Sequence, residues 1–263
     1  MAVYKIFPEK DATLYSLFPN MNTGLDEIVE ATLTTFAYSN PNPQASRFLI
    51  KFSNEDLAAA ISPIPQADFN SLKWNATLQC FVATVTGLNA DTTVKCFPVA
   101  NSWDMGTGRY LDEPISTDGT SWVWADYSGS NSWVSNIPTG ATASYTSSVS
   151  AGGGTWYTGS QYSSSVTFSY RSNKDINLDV TNTVKAWTSG SGVVPDNILP
   201  NNGFILKQNL EWVYNKNIQP ELKYFSVDTN TIYPPALQIS WEDRKSTRLN
   251  SSHTDISRMP SSA

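Results

Sequence analysis

Ser46-Arg47-Phe48-Leu49-Ile50-Lys51-Phe52 is the stretch on which the fold turns. Large apolar side chains fall on both faces of an extended segment here, because Leu49 stands between Phe48 and Ile50. Such a strand needs cover above and below. Gly203-Phe204-Ile205-Leu206-Lys207 has the same character and is expected to be a second buried strand.

Outward from these two, the chain breaks into short extended runs. Val3–Phe7 and Asp11–Ser16 are separated by Pro8, and Pro19–Gly24 is a turn cluster. Glu27–Phe36 is a longer strand, and Asn40-Pro41-Asn42-Pro43 is a loop. Ala76–Thr86 and Thr93–Val99 read as two strands joined by a turn at Gly87–Asp91. Val166–Tyr170, Ile176–Val180, Leu222–Val227 and Ala236–Trp241 alternate or carry apolar runs of strand length. Thr139–Ser165, rich in Ser, Thr, Gly, Ala and Tyr, is either a loop or a set of small-residue edge strands.

Two segments read as helix. Ser53-Asn54-Glu55-Asp56 fits a capping box that opens Leu57–Ile61, and Pro63 and Pro65 stop it. Val180, Val184 and Trp187 are spaced by four and three, which suits one or two helical turns with Trp187 in the core. About ten to twelve short strands with one or two short helices make an all-β protein, a two-sheet sandwich of jelly-roll type.

The 263 residues carry 15% charged side chains and a net charge of −6, with a pI near 4.8. A nucleic-acid partner calls for a basic face, so that class is disfavoured. No apolar run is long enough for a membrane span. The N-terminus MAVYKIFPEKDATLYS lacks the pattern of an export signal. Cys80 and Cys96 are accordingly expected as buried free thiols. Asn75-Ala76-Thr77 matches a glycosylation acceptor, read as a chance occurrence.

Asn101–Trp133 concentrates four of the nine tryptophans, Trp103, Trp122, Trp124 and Trp133, among turn formers. Flat aromatic faces stack on sugar rings, and neighbouring Asn, Asp and Arg supply hydrogen bonds. Trp122 and Trp124 are two apart and would share a face on a strand. With Trp133, Trp156 and Tyr157 they form a candidate glycan-binding platform. The alternative is that these rings fill the sandwich core or a subunit interface.

Catalytic patterns are absent from the sequence. The single histidine, His253, lies in the last twenty residues, so residues 1–243 can form no Ser-His-Asp or Cys-His arrangement. Asp112 and Glu113 are adjacent and on a strand would point to opposite faces, which does not suit paired carboxylates. Asp104, Asp112 and Asp118 could offer oxygens to Ca²⁺, but solvated turn acids are the better reading. No catalytic residue, metal or cofactor is expected.

The segment from Arg244 onward, RKSTRLNSSHTDISRMPSSA, departs from the chain's habits: it carries four of the seventeen Lys and Arg and has no aromatic residue. The run RKSTRLNSSH resembles translated sequencing-adapter read-through. Residues 244–263 are therefore expected to be a disordered artefactual tail. Residues 1–243 are expected to form the β-sandwich domain, with the natural protein continuing past Asp243.

Several segments together resemble one family. In order they are Asp11–Tyr15, Asn20-Met21-Asn22-Thr23-Gly24, Ser46–Phe52, Ser102-Trp103, Gly106-Thr107-Gly108, Gly119-Thr120-Ser121-Trp122, Asp179-Val180-Thr181 with Trp187, and Asn202–Lys207. This series resembles the DNRLRE-type β-sandwich domain, related to a carbohydrate-binding-module family. The opening MAVYKIFP and the stretch Lys223–Pro235 are similar to virion structural proteins of marine, T-even-like tailed phages. The resemblance implies a non-enzymatic virion structural or decoration protein, assembled in the host cytoplasm. It also implies other virion proteins and host surface polysaccharide as partners, with no membrane partner. Two other readings stay open: a carbohydrate-binding module of a polysaccharide-degrading system, and a cell-surface spacer domain.

Overall fold

The computed structural model describes residues 2–34, 44–88, 90–135, 137–144, 152–188, 199–209 and 220–242. The protein is all-β, a curled two-sheet sandwich, with three short helices among the described residues. The smaller sheet has the order β1 (Ala2–Ile6), β16 (Ala236–Trp241), β5 (Trp74–Cys80), β13 (Ile176–Asp179). The larger runs β12 (Ser164–Phe168), β7 (Thr92–Pro98), β14 (Phe204–Gln208), β4 (Gln44–Lys51), β3 (Ile28–Thr34), β15 (Glu221–Phe225), β6 (Val82–Thr86). Strand β2 (Lys10–Tyr15) also pairs with β4, from Lys10↔Lys51 to Tyr15↔Ser46.

Strands β4 and β14 are buried on both faces, as their sequences require. Phe48, Ile50, Phe204 and Leu206 point into the core between the sheets, where they meet Leu78, Cys80, Leu237 and Ile239. Leu49 and Ile205 point the other way into a second apolar cluster with Ala12, Leu14, Trp103, Trp122, Trp133 and Trp156. The tryptophan-rich segment thus forms a third layer over the outer face of the larger sheet. Two small ribbons belong to this layer: β8 (Trp124–Asp126) with β9 (Asn131–Ser132), and β10 (Ala141–Ser144) with β11 (Gly152–Tyr157).

Helix α1 (Asn54–Ile61) begins as expected: the Ser53 hydroxyl accepts the Asp56 amide at 3.0 Å. Helix α3 (Thr181–Thr188) buries Val184 and Trp187 in the main core. A third helix, α2 (Gln66–Asn70), follows Pro65 and was not expected. Ile64 and Phe69 are buried there, and Phe69 stacks on Trp74 at 5.2 Å and anchors the turn.

The structure corrects one strand reading. Ala76–Thr86 is two strands, because the chain leaves the smaller sheet at Phe81 and joins the larger one as β6. Thr139–Ser165 holds both strand and turn where described: β10 and β11 lie in it, a turn follows over Thr158–Ser163, and β12 begins at Ser164. The Asn40–Pro43 loop and the tail from Arg244 lie outside the described residues. Cys80 and Cys96 are free and buried, and burial pushes both thiols upward, so neither is a ready nucleophile. Asn75 lies on β5 with its side chain bonded to Thr181 and Thr77, so its amide is already engaged.

Candidate functional site: the tryptophan layer and its outer depression

The turn at Asn20–Gly24 fixes the layer to the sandwich. Asn22 is completely buried. Its amide donates to the Met105 carbonyl at 2.6 Å and the Thr120 carbonyl at 2.8 Å. Its oxygen accepts the amides of Gly24 and Gly108 at 3.2 and 2.8 Å. All four bonds that a carboxamide readily forms are therefore made, without water. Backbones pass so close here that a Cβ on Gly24 would meet the Met105 carbonyl oxygen at 2.1 Å, and one on Gly119 would meet Gly106 at 2.4 Å. The Asn20–Gly24, Gly106–Gly108 and Gly119–Trp122 segments, distant in sequence, are one packed unit.

Arg47 holds the layer from below. It projects from the outer face of β4 and is only 1% exposed. Its guanidinium lies 4.7 Å from the Trp122 ring and 5.3 Å from the Trp156 ring, and it donates to the Gly153 carbonyl. Gly153 has φ +77°, and a Cβ there would stand 2.6 Å from the guanidinium and 2.7 Å from Trp122. A side chain at that position would collide with the cation's seat, which explains part of the glycine run. Lys10 lies 4.5 Å over Trp103, and Lys207 lies 5.0 Å over Trp156. The indole N–H groups of Trp103 and Trp133 donate to the carbonyls of Asn202 and Ser121, each at 2.8 Å.

The five rings of the candidate platform therefore do not share one surface. Trp122, Trp133 and Trp156 are buried at 2%, 0% and 6% exposure, as core rings of the third layer. Tyr157 is half-buried at the end of β11, opposite Ala141. Trp124 alone of the tryptophans in the platform reaches the outer surface, half-buried. Trp122 and Trp124 fail to share a face because the chain reverses between them. The Ser121 amide donates to the Trp124 carbonyl, and the Ser121 hydroxyl accepts the Trp124 amide. Only from Trp124 onward is the chain a strand, and there Ala125 points inward.

Trp124 lines an open depression of about 600 Å³ with Ser116, Thr117, Asp118, Tyr127, Ser128 and Ser130. The Tyr127 ring meets Trp124 edge-on at 5.5 Å and 85°. Burial tends to raise the Asp118 carboxyl, but hydrogen bonds from the Thr107 hydroxyl and amide outweigh it and leave it below its ordinary value. The depression thus combines an aromatic corner, an ionised carboxylate and a rim of hydroxyls. Sequence reasoning missed Tyr127, although an aromatic three residues after Trp124 on a tight Ser-Gly-Ser turn was a usable signal. Asp104, Asp112 and Asp118 form no common cation site: their carboxylates accept separate backbone amides, of Met105, Arg109 and Thr107 respectively. Among the described residues no group of three or more His, Cys, Asp or Glu side chains is placed to hold a metal ion, and no helix is long and apolar enough to cross a membrane.

The chain matches no protein-family model and no curated protein sequence at a significant level. The DNRLRE-type and phage resemblances therefore remain expectations from sequence.

Proposed function

We propose that the protein is a non-enzymatic structural or decoration protein of a tailed-phage particle, and that the Trp124–Tyr127 depression is its contact with host surface glycan. The observation that carries the glycan part is the composition of that depression: one exposed indole edge, a tyrosine set across it, and Asp118 kept ionised beside serine and threonine hydroxyls. An indole face takes up the C–H face of a pyranose, while a carboxylate and hydroxyls accept and donate to its ring hydroxyls. Rigid support from the buried tryptophans beneath reduces the ordering cost of binding. The virion part rests on the resemblance of residues 1–8 and 223–235 to phage structural proteins. A carbohydrate-binding module would use the same depression, and the two readings differ in what the gene's neighbours encode: capsid and tail proteins, or polysaccharide lyases and hydrolases.

A glycan array probed with the full chain tests the binding. Trp124→Ala is expected to abolish the signal while leaving the fold intact, because the ring is at the surface. No signal on any glycan, or an unchanged signal for Trp124→Ala, overturns the assignment.

A further inference from the structure

A second hollow, of about 620 Å³, opens between the start of β5, the first turn of α3 and the Ser160–Ser164 turn. It shares no lining residue with the Trp124 depression. We infer that this cleft is a binding site for a neutral, hydroxyl-rich ligand of mono- or disaccharide size.

Its frame is fixed by bonds that use up most of the local polar groups. Asp179 Oδ1 accepts the amide and the hydroxyl of Thr181 at 3.0 and 2.6 Å. Thr183 donates to the Tyr162 carbonyl at 3.1 Å, and Ser164 donates to the Asp179 carbonyl. These contacts tie the turn to the helix. Among the described residues, no hydrogen bond engages the side-chain amides of Gln161 and Asn182 or Oδ2 of Asp179, and all three residues are exposed. Two amides supply both donors and acceptors, and the remaining carboxylate oxygen adds an acceptor.

Charge selects the class of ligand. The start of a helix ordinarily favours an anion. Here Asp179 already caps α3, so a negative ligand would meet a carboxylate. A divalent cation is ordinarily held by several oxygens that include more than one carboxylate, and among the described residues Asp179 is the only acidic one lining the cleft. A neutral polyol meets neither obstacle. Its C–H face can meet the half-buried Tyr162 ring and the exposed Leu72, with Trp74 and Val180 buried behind them. Leu72 is 42% exposed, and its φ of +53° belongs to the C-terminal cap of α2, where the Leu72 amide donates to the Phe69 carbonyl and the Lys73 amide to the Asp68 carbonyl. The volume falls within the roughly 300–1,000 Å³ range of small-ligand pockets.

The test titrates the ¹⁵N-labelled full chain with lactose, maltose and cellobiose, and separately with inorganic phosphate. At least one disaccharide is expected to shift the backbone amides of Gln161, Ser163 and Asn182, and phosphate is expected to leave them unmoved. Gln161→Ala with Asn182→Ala, both exposed, should weaken binding by about tenfold or more through loss of two hydrogen bonds. Leu72→Gly relieves the backbone and removes the apolar wall, so binding should weaken while the melting temperature holds or rises. Trp124→Ala should change none of these shifts, so this proposal and the Trp124 assignment fail separately. No shift with any of the three disaccharides, a response to phosphate instead, or wild-type affinity in the double variant overturns the inference.

Discussion

The Arg47 guanidinium lies 4.7 Å from the Trp122 ring, beneath the tryptophan layer. A cation taken out of water needs compensation. Arg47 finds it in two indole faces and the Gly153 carbonyl. Cation–π contacts of this desolvated kind are worth on the order of 2 kcal/mol. Lysine cannot reproduce the flat fork that stacks and donates at once. Arg47→Lys is therefore expected to lower stability by about 2 kcal/mol and to weaken the near-ultraviolet tryptophan signal. Urea unfolding followed by circular dichroism checks both, and an unchanged midpoint contradicts the anchoring role.

Asn22 should be less tolerant still. Asn22→Ala leaves two backbone carbonyls and two amides without their partner, three of the four lost bonds being buried. The loss is expected to reach about 3 kcal/mol or more. Asn22→Asp keeps the shape but replaces two donors with an acceptor facing the Met105 and Thr120 carbonyls, and should be at least as harmful. Thermal unfolding of the two variants checks this, and a shift of only a degree or two contradicts it.

The tryptophans should divide into two classes. Trp133→Ala removes a fully buried ring and is expected to cost about 3–5 kcal/mol. Trp124→Ala should cost about 1 kcal/mol or less, since the ring is only half-buried. Parallel denaturant titrations of the two variants decide it, and equal losses contradict the layered arrangement.

Asp11 makes stability depend on pH. It is 1% exposed, with one carboxyl oxygen accepting the Val227 amide at 2.7 Å and the other without a partner. Burial pushes the carboxyl up to about 8, against the Val227 bond and with help from the charges of Asp228 and Asp26. The folded form therefore keeps its proton up to about pH 8, while the unfolded chain releases it near its ordinary value of about 4. The stabilising contribution is complete below about pH 4 and is lost as pH rises towards 8, by at most about 1.4 kcal/mol per unit. Asp26, raised to about 6 chiefly by its own burial, acts with the same sign. Asp11→Asn should flatten the fall in urea midpoint between pH 5 and 8, and an unchanged slope contradicts this.

Much of the sandwich was legible because its signals are local. The Ser53 cap, the helical spacing of Val180, Val184 and Trp187, and the double-faced apolar runs of β4 and β14 each carry their own physical reason. The break at Phe81 was not legible, because the strand residues before and after it continue without a Gly or Pro. Nor was the fate of the tryptophans. Period-two spacing assumes an extended chain, and the Ser121–Trp124 reversal removes that assumption for Trp122 alone. A buried arginine gives no sign in sequence of which rings it will meet; that depends on β4 lying under β11, far apart in the chain.

Hydroxyl-radical footprinting of the full chain, with and without an oligosaccharide identified on the array, tests the central claim most directly. The expected result is ready modification of Trp124 and Tyr127 in the free protein, protection of both by the glycan, and little modification of Trp122, Trp133 and Trp156 in either state. Oxidation of those three rings as fast as Trp124, or a bound glycan that leaves Trp124 unprotected, would contradict the account.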